Sequence, residues 1–265
     1  MAVAQGAAVI TGASSGIGSA YAARLAARGY DLVLVARRRD RLQMLADELS
    51  GRHGIASDVI VADVTDKGDL SSLEALLRER EDLGLLVNTA GSGALGSTAE
   101  LDAERMEQLI RLNVIALARL SHAALSGFRR RGAGGLINIG SIMAYLPSAT
   151  AATYSGTKAF VSNFTRSLQL EYRDSEIVIQ LVQPGPVRTE FFEVSQAPAG
   201  IFREQHLMNA GDLVDAALRG FDQREAVTTP SLAEIGRWHE LEKARSEFMA
   251  GAISGAVAHR YSTGS

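Results

Sequence analysis

Tyr154 and Lys158 are the first residues whose types and spacing suggest chemistry. They stand four apart where Tyr154-Ser155-Gly156-Thr157-Lys158 opens a helical stretch, so both side chains share one helix face. The chain has 24 Arg but only three Lys, at 67, 158 and 243, so a motif that requires lysine stands out. A carbonyl carbon that receives hydride needs a proton at its oxygen. A tyrosine hydroxyl can supply it, although its ordinary pKa of about 10 is poorly matched to neutral pH. A neighbouring ammonium favours the phenolate and lowers that value. Ser141, in Ser141-Ile142-Met143-Ala144-Tyr145 after a predicted strand, offers a hydroxyl of the kind that stabilises charge developing on a carbonyl oxygen. The competing reading is an exposed Tyr–Lys pair worth about 0.2–0.5 kcal/mol to its helix.

A second constellation lies near the N-terminus. An apolar run, Ala7–Thr11, leads directly into Gly12-Ala13-Ser14-Ser15-Gly16-Ile17-Gly18 and then a helix. Glycines let backbone turn tightly and approach a pyrophosphate, and the helix start presents free N–H groups and a positive dipole end to it. Ser14 and Ser15 add hydroxyl donors. The spacing is G-x3-G-x-G rather than the G-x-G-x-x-G of the common dinucleotide fingerprint, and an ordinary Gly-rich turn is the competing reading. The second strand ends in Ala36-Arg37-Arg38-Arg39. An acidic residue near that position grips the ribose 2′-hydroxyl of NAD, whereas arginine pairs with a 2′-phosphate. Cations at a helix N-terminus cost about 0.3–1 kcal/mol, so Arg37 and Arg38 are expected to serve NADP(H) binding.

The elements needed to position these groups are legible as an alternation. Strands are predicted at Ala7–Thr11, Asp31–Ala36, Val59–Ala62, Leu83–Asn88, Gly135–Ile139 and Ile177–Gln183, and a seventh in the 226–230 region. Helices are predicted at Gly16–Arg28 and Arg38–Leu49, near 66–80, 101–130 and 152–173, and at Leu232–Met249. The strands are continuously apolar, as burial on both faces demands, and the alternation implies a parallel sheet with right-handed crossovers. Arg129–Arg131 followed by glycines reads as a cationic last turn and a Gly stop. Residues 190–230 are less regular and read as a substrate loop closing over a site or as a loop-and-helix excursion, and 251–265 as a flexible tail.

Composition bounds the remaining classes. With 265 residues, 46% hydrophobic and 22% charged, the chain reads as one large α/β domain over 1–265. The absence of cysteine excludes disulfides, Fe–S clusters and thiolate zinc sites, and the five His are too scattered for a metal site. A net charge of −3 does not indicate a nucleic-acid footprint. No basic leader segment and no long apolar run is visible, so a cytoplasmic protein without membrane association is expected.

Together these residues resemble the short-chain dehydrogenase/reductase family over about residues 6–190, with the motifs in the family's order. The cofactor loop matches Thr11 to Gly18, including Ile17. The adenine-contacting Asp matches Asp63, with Val64 beside it. The N-N-A-G motif matches Asn88-Thr89-Ala90-Gly91, with Thr89 replacing the second Asn. The proton-relay Asn matches Asn113, and the catalytic set matches Ser141, Tyr154 and Lys158. Pro184-Gly185-Pro186-Val187-Arg188-Thr189 matches the segment that holds the nicotinamide amide through Thr189 and whose Pro184, Gly185 and Val187 line the cofactor. The resemblance implies a doubly wound Rossmann fold with a parallel sheet of about seven strands flanked by helices. It implies an NADP(H)-dependent oxidoreductase interconverting a small-molecule ketone or aldehyde and an alcohol. In it Tyr154 exchanges the proton, Lys158 lowers the Tyr154 pKa and holds the ribose, Ser141 polarises the carbonyl, and Asn113 positions a water beside Lys158. Tyr154 and Lys158 thereby count among the cofactor-binding residues too. An apolar substrate wall of Met143, Tyr145, Leu146, Phe191, Phe192 and Phe202 is expected, with core packing of the same side chains the equal competing reading, as is a homodimer or homotetramer. Strand seven lacks the Asp-Gly-Gly ending of many tetrameric members. The alternative is a cofactor-binding regulatory or interaction protein without turnover.

Overall fold

The computed structural model describes residues 6–195, 203–253 and 255–261. It comprises one unit through Pro230 and a second from Ser231. In the first, β1 (Ala7–Thr11), β2 (Asp31–Ala36), β3 (Ser57–Val61), β4 (Leu83–Asn88), β5 (Ala133–Ile139) and β6 (Glu176–Val182) alternate with helices. The helices are α1 (Gly16–Ala27), α2 (Arg39–His53), α3 (Lys67–Glu79), α4 (Ala103–Ile110), α5 (Leu117–Arg131) and α6 (Ala152–Glu171). Then come β7 (Val187–Arg188), the single turn α7 (Phe191–Val194), β8 (Met208–Asn209), α8 (Ala210–Asp222) and β9 (Val227–Thr228). The main sheet has seven strands in the order β3-β2-β1-β4-β5-β6-β9, and every pair is parallel. This is the expected doubly wound Rossmann architecture. Strand order reverses between β1 and β4, and open α/β sheets hold ligands outside the carboxyl ends of the strands at such a point.

The strand sequences explain the layering. All five residues of β1 and all six of β4 are buried, which a parallel sheet covered on both faces requires. One face carries a core with Tyr21, Leu25, Leu42, Leu49, Leu213 and Phe221 from α1, α2 and α8. The other packs Leu70, Leu73, Leu120 and Phe128 from α3 and α5. Each fully buried side chain of this size contributes about 1.5–3 kcal/mol. The helix stops follow the sequence: α5 ends on Arg129–Arg131, and Gly132 then turns left-handed at φ 78°. The stretch Ala103–Arg131 is long and apolar enough to cross a membrane by length and composition, but its inner face belongs to the second core.

One sequence expectation changes. Residues 190–230 are not an irregular excursion throughout. α8 is a core helix whose Leu213, Val214, Ala217, Leu218 and Phe221 are buried at helical spacing, and β7 pairs with β8. Pro198, Gly200 and Phe202, expected in the loop or substrate wall, lie outside the described residues. The second unit, taken by itself, contains α9 (Ile235–Ala252), close to the predicted helix, and a 3-10 turn at His259–Tyr261. Ion pairs such as Arg237–Glu240 run along α9.

Candidate active site

The Gly-rich turn joins β1 to α1 at the point where strand order reverses. Gly12 sits at φ 68°, and a Cβ there would lie 2.9 Å from the Ala90 backbone nitrogen. A Cβ on Gly18 would lie 2.3 Å from the Gly12 carbonyl oxygen. Neither position tolerates a side chain. The Thr89 hydroxyl donates to the Thr11 carbonyl, and the Ala90 N–H donates to the Thr11 hydroxyl at 3.2 Å. The loop after β4 is thereby stitched to the loop after β1. Thr89, which departs from the family's Asn, is thus a brace for the turn. The first turn of α1 has neither an acidic residue nor a side-chain cap, so its N–H groups and dipole end are left to an anion.

Above this turn lies a cavity of 710 Å³. One end is formed by Arg37, Arg38, Asp63, Val64 and Thr65, the middle by Ser14–Gly18, Ala90 and Gly91. Beyond them come Pro184, Gly185, Val187 and Thr189, then Ser141, Tyr154 and Lys158, and finally Met143, Leu146, Phe191, Phe192 and Val194. A dinucleotide fits this set: free N–H groups for the pyrophosphate, cations and an acid at one end, and titratable groups against an apolar wall at the other.

The titratable groups come from three elements. Ser141 caps the 3-10 turn Ile142–Ala144, its oxygen accepting from the Met143 N–H at 3.2 Å. Tyr154 and Lys158 lie on the first turns of α6, with the Lys158 ammonium 5.9 Å from the Tyr154 ring centroid. Lys158 is 7% exposed and donates to the Ile139 carbonyl at 2.9 Å. Burial pulls its pKa down to about 8. Burial pushes the Tyr154 hydroxyl up to about 12, opposed by the Ser141 hydroxyl beside it. Lys158 was expected to lower the Tyr154 pKa, but in this arrangement desolvation prevails at both groups and the ammonium is anchored to Ile139.

Asn113 holds the loop after β4 against α6. It lies in a π-helical segment, Arg111–Ala116, between α4 and α5, an irregularity that often marks a functional position. Its Oδ1 accepts from the Ser92 N–H at 3.1 Å, and its Nδ2 donates to the Ser92 carbonyl at 2.9 Å and to the Thr157 hydroxyl at 3.1 Å. Asn113 is buried and its side-chain amide is engaged by protein groups. The side chain thereby braces the segment beside Lys158. A Cβ on Gly91 would stand 3.3 Å from Asn113 Oδ1 and 3.8 Å from Lys158 Nζ, which places both against the cavity floor.

Two further residues are placed differently from expectation. Asn88 turns into the core: its Nδ2 donates to Asn138 Oδ1 at 2.9 Å and to Ser121 Oγ at 3.1 Å. That joins β4 to β5 and α5 instead of reaching a cofactor. Tyr145 turns from the substrate wall to Gln183 and Ser162, its hydroxyl 3.2 Å from Ser162 Oγ. Arg37 is three-quarters exposed and stands 3.7 Å from Asp63. Desolvation works against ionised Asp63, but the Thr65 hydroxyl and N–H, with Arg37, outweigh it and hold the carboxyl below its usual range. Arg38 is the fixed arginine, donating to Ser14 Oγ at 2.9 Å and Ser15 Oγ at 2.7 Å. Sequence reasoning missed Glu190, a cavity-lining residue that accepts from both Arg38 and Arg41, and Arg41 itself. Arg41 follows Arg38 at helical spacing and was a readable signal, but Glu190 is 152 positions from Arg38 and carried none.

Residues 6–199 match the short chain dehydrogenase family. The chain is similar to a solved short-chain dehydrogenase from Sphingobium yanoikuyae in complex with NADPH, at 41% identity and TM-score 0.92, over 97% of this chain and 100% of that one. It is also similar to the bulky-bulky ketone specific alcohol dehydrogenase from Comamonas testosteroni, at 39% identity and TM-score 0.89, over 97% and 99%. Among curated proteins, the very-long-chain 3-oxoacyl-CoA reductase of Anas platyrhynchos is 32% identical over 71% of this chain, which spans 62% of that relative's length.

Proposed function

The chain belongs to the short chain dehydrogenase family, and from that premise we propose that it is an NADP(H)-dependent oxidoreductase interconverting a bulky, apolar ketone or aldehyde and its alcohol. The observation that carries the reading is the meeting of Ser141, Tyr154 and Lys158 with the Gly-rich turn in one cavity. The nicotinamide, when bound, supplies or accepts the hydride. Tyr154 keeps its proton at neutral pH, because burial holds its pKa at about 12. That is the state required of a donor to a developing alkoxide. Ser141 offers a second hydroxyl at the same place, and its fixed 3-10 turn preorganises it. Lys158 remains largely charged at neutral pH, with a pKa of about 8, and offers its ammonium beside Tyr154 to the ribose and to the charge of the reacting oxygen. Asn113, Thr157 and Ser92 keep that end of α6 in place.

NADP(H) preference is supported by the cationic rim, where Arg38 lies across Ser14 and Ser15 with Arg37 and Arg41 beside it. The solved relative in complex with NADPH supports the same choice. The apolar far wall and the ketone-specific relative support a bulky carbonyl substrate. The test is NADPH consumption over a panel of aryl and long-chain ketones, aldehydes and diketones, with NADH as control and Tyr154→Phe alongside. NADPH-dependent turnover that disappears in the variant is expected. Turnover that favours NADH, or that survives in Tyr154→Phe, overturns the proposal. Tight NADPH binding with no turnover across the panel would favour the regulatory alternative.

A further inference from the structure

The rim of the cavity holds an internal anion where the proposed cofactor requires cations. Glu190 uses both carboxylate oxygens there: Oε2 accepts from Arg38 Nη1 at 2.7 Å and Oε1 from Arg41 Nη1 at 2.5 Å. The remaining Arg38 nitrogens hold Ser14 and Ser15. The two guanidinium groups hold the Glu190 carboxyl at a pKa of about 2, so it is ionised at every pH at which the fold is expected to work.

Glu190 is not an isolated rim residue. It immediately precedes α7, between Thr189 and Phe191. The Thr189 methyl stands 3.0 Å from where a Cβ on Gly16 would lie. The Phe191 ring sits 5.5 Å from the Tyr154 ring, and Phe192 meets Phe191 edge-on at 5.7 Å. Three consecutive residues therefore join the arginine cluster, the Gly-rich turn and the proton donor.

We propose that Glu190 is an internal competitor for the phosphomonoester of the cofactor: it holds Arg38 and Arg41 together in the free protein, and a phosphomonoester that takes these arginines frees Glu190 and loosens the single turn that follows it. The inference rests on the NADP(H) reading above. A phosphomonoester carries about −1.5 to −2 charges at neutral pH and three strong acceptor oxygens, against one charge and two oxygens on Glu190. It therefore prevails at Arg38 and Arg41 despite the competition. The cost is a reduced apparent affinity, because only the fraction of molecules with Glu190 released can bind in full. An unphosphorylated dinucleotide gains nothing from displacing Glu190, so the same residue also shapes selectivity.

Calorimetric titration of the full chain with 2′,5′-ADP, 5′-AMP, NADPH and NADH tests this in wild type, Glu190→Gln, Arg41→Gln and Arg38→Gln. Glu190→Gln is expected to tighten 2′,5′-ADP and NADPH about three- to tenfold, the scale of two partly exposed ion pairs, and to leave 5′-AMP and NADH within about twofold. Arg41→Gln is expected to weaken only the 2′-phosphorylated ligands. In wild type, 2′,5′-ADP but not 5′-AMP should accelerate hydrogen exchange at the Val194 and Ser195 amides, which bond back to Glu190 and Phe191. Unchanged or weaker 2′,5′-ADP binding in Glu190→Gln, or unchanged exchange in wild type, overturns the proposal. If Arg38→Gln still selectively weakens NADPH in that case, the NADP(H) reading survives. If Arg38→Gln weakens NADPH and NADH equally, the NADP(H) reading fails as well.

Discussion

Replacing Lys158 by Met is expected to make the protein more stable while removing its activity. Lys158 is 7% exposed, and burial lowers its pKa from 10.5 to about 8. At about 1.4 kcal/mol per pKa unit, folding disfavours its charged form by about 3 kcal/mol. Below pH 8 the ammonium is charged in both the folded and unfolded states, and the whole penalty applies. Between pH 8 and 10.5 the folded protein loses the proton while the unfolded chain retains it, so wild-type stability rises through that window. Methionine keeps an unbranched stem in the same space, but it leaves the Ile139 carbonyl without the donor now at 2.9 Å. That loss costs about 1–2 kcal/mol. The net gain at pH 7 is therefore about 1–2 kcal/mol, which for a domain of this size is about 2–8 °C in Tm. Urea and thermal melts of both proteins at pH 7 and pH 9.5 measure it, and comparing the two proteins cancels the other titrating groups. The gain should shrink at the higher pH. A Lys158→Met protein less stable than wild type at pH 7, or a difference that does not change with pH, would refute the reasoning.

Other expectations follow from the same geometry. Tyr154→Phe should lower turnover about 10²- to 10⁴-fold and leave NADPH affinity nearly unchanged in a calorimetric titration; comparable loss of binding would mean the hydroxyl holds cofactor more than it moves a proton. Asn138→Ala breaks the buried chain from Asn88 to Thr165, and a shifted urea midpoint should show a cost of about 2–4 kcal/mol. Gly18→Ala places a Cβ 2.3 Å from the Gly12 carbonyl oxygen, so the turn must shift; a loss of about 1–3 kcal/mol in stability and at least as large a fractional loss in cofactor affinity are expected. An alanine variant that binds and melts like wild type would show that the turn is not tightly fixed.

The sequence alone determined the class. Continuously apolar strands between amphipathic helices required a parallel sheet, and β1, β2 and β4 were bounded correctly because turn residues punctuate them sharply. The Gly-rich turn, the Tyr154–Lys158 pair and Ser141 were visible because each is local: a helix fixes i and i+4 on one face, and a tight turn needs glycine where backbone passes close. Helix α8 carried a readable apolar period, but its neighbouring Pro, Gly and Phe residues suggested a loop. Other features depend on chain segments far apart in sequence. Asn88 turns into the core because Asn138 and Ser121 are within its reach there. Tyr145 leaves the wall for Gln183 and Ser162, and Lys158 is anchored by Ile139 rather than poised only toward Tyr154. Glu190 meets Arg38 across 152 positions. Such partners are set by how the sheet brings the carboxyl ends of its strands together, and burial then decides the protonation states. Residue type marks which groups can do chemistry; tertiary packing decides which neighbour each one answers to.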